Sequence, residues 1–63
     1  MLKPESPAYP LCEKIATILR ENGKAAAQTA WEEFLNERQA AKKPVVRWEA
    51  LAMMDTIHGL AKT

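Results

Sequence analysis

The sequence predicts an all-α protein of two to three amphipathic helices, on three observations. Apolar residues recur at helical spacing along most of the chain, with no sustained strand-like alternation. Asn22-Gly23 and Lys43-Pro44 punctuate the chain where that periodicity breaks. Between them the second segment opens on Ala25, Ala26 and Ala27, all strong helix formers.

The first helix is expected over 7–22. Ser6 reads as its N-cap and Pro7 as the first helical residue, where a missing N–H does no harm. Pro10 is tolerated within the first turn, and a start near Pro10 is the alternative. Asn22-Gly23 supplies a left-handed stop. Ala8, Leu11, Cys12, Ile15, Ile18 and Leu19 share one face; Glu13, Lys14, Thr17, Arg20 and Glu21 share the other. The second helix is expected over 24–42, with a stripe of Ala27, Ala30, Trp31, Phe34, Leu35 and Ala41. Gln28, Glu32, Glu33, Asn36 and Gln39 lie away from it.

After a brief extended stretch at Val45 and Val46, a third helix is expected over about 46–61, starting at Val46 or Arg47. A broad face collects Val46, Ala50, Met53, Met54, Ile57, Leu60 and Ala61, with Arg47, Asp55, His58 and Lys62 on the far side. Trp48 and Leu51 fall among those charges. Two apolar sides on one helix point to a second packing surface. Residues 1–6 read as a flexible N-terminal segment and 7–63 as one helical domain. The short turns make neighbouring helices antiparallel or sharply crossed.

At 63 residues there is room for one domain. Its core is small: burial is worth ~90 kcal/mol and ordering the chain costs ~95 kcal/mol, a near balance. Small chains usually escape that margin through disulfides, a metal or a partner. One cysteine, Cys12, makes no internal disulfide, and Cys12 with the single histidine, His58, falls short of a structural zinc site. A partner chain remains, and homodimerisation is the first expectation.

Enzyme chemistry finds no foothold, and no catalytic, cofactor-binding or metal-ligating residue is predicted. Gly23 and Gly59 belong to no phosphate loop, and the lone serine, Ser6, lies near a chain end. Cys12 falls on an apolar helix face, as buried structural thiols do, and His58 reads as a solvated helix residue. The adjacent carboxylates Glu32 and Glu33 point about 100° apart and converge on nothing.

Two surfaces remain as candidates. Trp31, Phe34, Arg38, Trp48 and Leu51 form a predicted protein interface, because Trp and Arg are enriched at interface hot spots. Arg38 falls mid-stripe, where it can snorkel outward, stack on Trp31 or pair with an acid of a second chain. The alternative is a nucleic-acid contact through a basic corner of Arg38, Lys42, Lys43 and Arg47, although cations near a helix end also complement its dipole. The third helix makes a poor recognition helix, since only Arg47 and Lys62 could reach a base or phosphate. The formal net charge of +1 argues against binding DNA or membrane by charge alone.

Met1 to Pro10 carries three prolines and no apolar run of the secretory type, and no segment approaches a membrane span. A reduced cytoplasmic setting is expected.

The stretch WEEFLNERQAAKKPVVRWEALAMM, with the chain's length and lone Cys12, resembles the very short helical proteins encoded in the early operons of lambdoid bacteriophages, between the exonuclease and excisionase genes. The likeness spans most of the chain. It implies a small non-enzymatic accessory protein, made early in infection, that modulates host physiology or the lytic–lysogenic choice through contacts with a host protein in the host cytoplasm. It transfers no site residue to a position here.

Overall fold

Helices α1 (Tyr9–Asn22), α2 (Lys24–Ala40) and α3 (Arg47–Ala61) make up a computed structural model that describes residues 2–62. The fold is all-α, with no strand among the described residues.

Each boundary has a local cause. The predicted start at Pro7 gives way to Tyr9, because Ser6 is taken up in consecutive turns: its N–H donates to the Lys3 carbonyl at 2.9 Å and its carbonyl accepts from Tyr9 at 3.0 Å. Ala8 takes the cap position in place of Ser6, with no side-chain cap, and Pro10 sits in the first turn, where its lack of an N–H is harmless. Gly23 alone separates α1 from α2. Its φ of 92° and ψ of 176° form a backbone state essentially confined to glycine. It donates to the Leu19 carbonyl and accepts from Ala27, so one residue closes one helix and opens the next.

The second helix ends at Ala40 and not at Lys42. The Lys43 N–H donates to Arg38 and the Lys42 N–H to Gln39, both at 3.0 Å, which is a Schellman closure. Lys42 occupies its left-handed position at φ 61°, a place usually given to glycine. Pro44 follows and disfavours helix at Lys43. Val46 is extended at ψ 161° and caps α3, so that helix starts at Arg47, the later of the two starts the sequence allows.

The three helices are not equivalent. α2 and α3 both pack on α1 and not on each other. The core is Cys12, Ile15 and Ala16 from α1, Ala27 from α2, and Met53 and Ile57 from α3. The expected faces of α1 and α3 supply most of it, Ala16 being an addition. Thr56 is also wholly buried: its hydroxyl donates to the Ala52 carbonyl at 2.8 Å and accepts the Leu2 N–H at 2.7 Å. Residues 1–6 are predicted as a flexible segment, but Leu2 is tied by that bond and packs on the core, while Lys3 to Ser6 form a turn. Met1 lies outside the described residues. Of the α2 stripe only Ala27 is buried; Ala30, Trp31, Phe34 and Leu35 are half-buried, and Ala41, beyond the helix end, is exposed.

The molecule measures 33 × 24 × 16 Å, a thin slab with α1 shared by both neighbours. It exposes 4659 Å², where a compact monomer of this mass would expose about 4,100 Å². No helix among the described residues is long and apolar enough to cross a membrane.

Candidate functional site

Because α2 and α3 each rest on α1 without a close backbone approach to each other, a groove opens between them. It has a volume of about 600 Å³. Ile15 and Ile57 contribute buried floor, Ala27, Trp31 and Met54 stand as walls, and the polar rim holds Gln28, Glu32 and His58. Gln28 Nε2 donates to Glu32 Oε1 at 3.2 Å, which braces one bank. His58 is exposed on the other. Among the described residues no three His, Cys, Asp or Glu side chains gather closely enough to hold a metal ion.

Beside the groove runs an exposed apolar strip. Trp48 is 70% exposed, Leu51 57%, Val46 48% and Met54 40%. Trp48, Leu51 and Met54 follow one another at three-residue spacing, so they are neighbours on the α3 surface. Met54 belongs to both features, which makes strip and groove one surface. Val46 and Met54 are predicted on the inward face of α3 and lie outward instead. That face is too wide for one neighbour: Met53 and Ile57 sit at its centre against α1, and Met54, about 100° further round the helix, is left in solvent. The three-residue step from Leu51 to Met54 is the signal that would have found it.

The other predicted interface residues divide. Trp31 is half-buried and lines the groove. Phe34 belongs to the monomer's own packing. Its ring lies 5.6 Å from that of Trp31 at 44°, and it packs against the core. Arg38 is turned inward. Its Nε donates to the Lys43 carbonyl at 2.7 Å, its guanidinium lies 5.7 Å from the Phe34 ring centre, and its terminal nitrogens face Glu49 at 3.4 and 3.5 Å. The aromatic partner is thus Phe34 and not Trp31, and the acid belongs to its own chain. The ion pair ties the end of α2 to the start of α3.

The basic corner is correspondingly smaller than its sequence. Lys42, Lys43 and Arg47 are exposed at the second turn. Arg38 is engaged behind them, with Glu49 adding an acid to the corner. Cys12 and His58 do not act as a pair. Cys12 is wholly buried and its thiol donates to the Met53 carbonyl at 3.8 Å. Burial pushes that thiol above its ordinary pKa, the reverse of what a nucleophile needs.

Comparison of the chain with protein-family models, with curated proteins and with solved structures finds no match.

Proposed function

We propose that this chain is a non-enzymatic protein-interaction module that works through the outer face of α3 and the adjoining groove. One observation carries the proposal: Trp48, Leu51 and Met54 stand in solvent as a continuous strip beside an open apolar groove. Scattered surface apolar residues are ordinary, whereas a contiguous strip beside an apolar cleft is characteristic of docking surfaces. The resemblance to early phage accessory proteins fits such a role, with a host protein or a second copy as partner and host physiology or the lytic–lysogenic choice as the process affected.

The test compares the wild-type chain with W48A/L51A by sedimentation velocity and by affinity capture from cells of the natural host. Both side chains are outside the core, so the variant keeps its helical spectrum. It is expected to lose at least tenfold in whatever association the wild type makes. Self-association and captured partners that are both indifferent to the double substitution would overturn the proposal.

A further inference from the structure

Leu51 lies at the centre of a pattern that is symmetric about itself. On a helix, residues three positions away sit about 60° to either side, and residues four away about 40°. Here the two positions at three residues are both apolar and exposed, Trp48 and Met54. The two at four residues carry opposite charges, Arg47 and Asp55, both exposed. We propose that the partner of this face is a second copy of the chain, docked α3 against α3 in antiparallel orientation with the two-fold axis passing at Leu51. The proposal rests on the reading of α3 as an interaction surface and names its occupant.

The charges select the orientation. In an antiparallel pair about Leu51, residues whose numbers sum to 102 lie level with each other. Arg47 and Trp48 of each copy then stand level with Asp55 and Met54 of the other. Two opposite-charge pairings arise at once, one at each end, around an apolar centre of two leucines. A parallel pair would set Arg47 level with Arg47 and Asp55 level with Asp55. Such like-charge placement suppresses that arrangement. Asp55 already engages a group of its own chain, and the pairing adds Arg47 of the second copy to the same carboxylate.

Arg47 gives a second line of support. It is the first residue of α3, where a cation opposes the helix dipole. Within the monomer that placement is unfavourable, whereas across the two-fold axis it meets an acid.

Charge reversal tests both the partner and the orientation. The dimerisation constants of wild type, R47E, D55K and R47E/D55K would be measured by sedimentation equilibrium, with a thermal melt of each under dilute conditions to show that the monomer is intact. Each single reversal should weaken the dimer at least tenfold, because it sets like charges level at both ends, and the double reversal should recover most of the loss. R47E improves the start of α3 on its own, so weaker pairing in that variant cannot come from a damaged helix. A dimer indifferent to the single reversals, or weakest in the double, overturns the antiparallel geometry and leaves the interaction reading standing. A wild type monomeric to millimolar concentration overturns the second copy as partner. If W48A/L51A also leaves every captured partner in place, the interaction reading falls with it.

Discussion

α1 and α3 are nearly equal in length, 14 and 15 residues, and both carry a broad apolar face. They meet different fates. α1 has a helix on each side, so Cys12, Ile15 and Ala16 are all buried and Leu11, Ile18 and Leu19 are half-covered. α3 packs against one helix, so Met53 and Ile57 are buried against α1 while Trp48, Leu51 and Met54 face solvent. An apolar face becomes core only where the topology supplies something to cover it. The single-residue link at Gly23 and the Schellman turn at Lys42 put α2 and α3 on α1 without closing them on each other. The groove is the consequence.

Removing a similar aliphatic side chain from each helix should break the comparison most sharply. Ile15→Ala empties a buried site that faces both neighbours and should cost about 2–5 kcal/mol. A chain of this size has a total stability of only about 3–9 kcal/mol, so the loss is a large fraction of the total and should show by circular dichroism as a markedly lower melting temperature. Leu51→Ala, measured alongside as a dilute monomer, should shift stability by no more than about 0.5 kcal/mol. Equal losses at the two sites would mean that α3 is covered in the monomer after all.

The two turns should respond more weakly and in opposite senses. Gly23→Ala meets no neighbouring atom within 4 Å, so its penalty is backbone strain alone, about 1–3 kcal/mol. Lys42→Gly relieves a left-handed lysine and should stabilise the chain by about 1 kcal/mol. Thermal melts of both variants check the pair. A neutral Gly23→Ala would mean that the link between α1 and α2 relaxes to a different geometry.

Much of this architecture is legible in the residues themselves. Helical spacing locates α1, α2 and α3, Asn22-Gly23 locates the first turn, and Lys43-Pro44 the second. Trp48 and Leu51 stand out among charges, and the structure leaves both in solvent. What periodicity does not contain is the number of neighbours a face will have. Met54 therefore looks like core in a pattern of helix angles, and is surface because α2 does not reach it. Phe34 and Arg38 show the converse. Their inward packing depends on Glu49, eleven residues beyond Arg38, arriving across the second turn. Thr56 gives no apolar signal at all, and is buried because its hydroxyl is satisfied by Ala52 and Leu2.

The central claim is that the outer face of α3 is open in the single chain and covered on association. Fluorescence of Trp48 in a Trp31→Phe chain reads that face directly when recorded with solution mass from low micromolar concentration upward. The account predicts the emission of a solvated indole in the dilute monomer, moving to shorter wavelength in step with the rise in mass. A chain that associates while Trp48 keeps its solvated emission, or a dilute monomer whose Trp48 already emits as a buried indole, would contradict it.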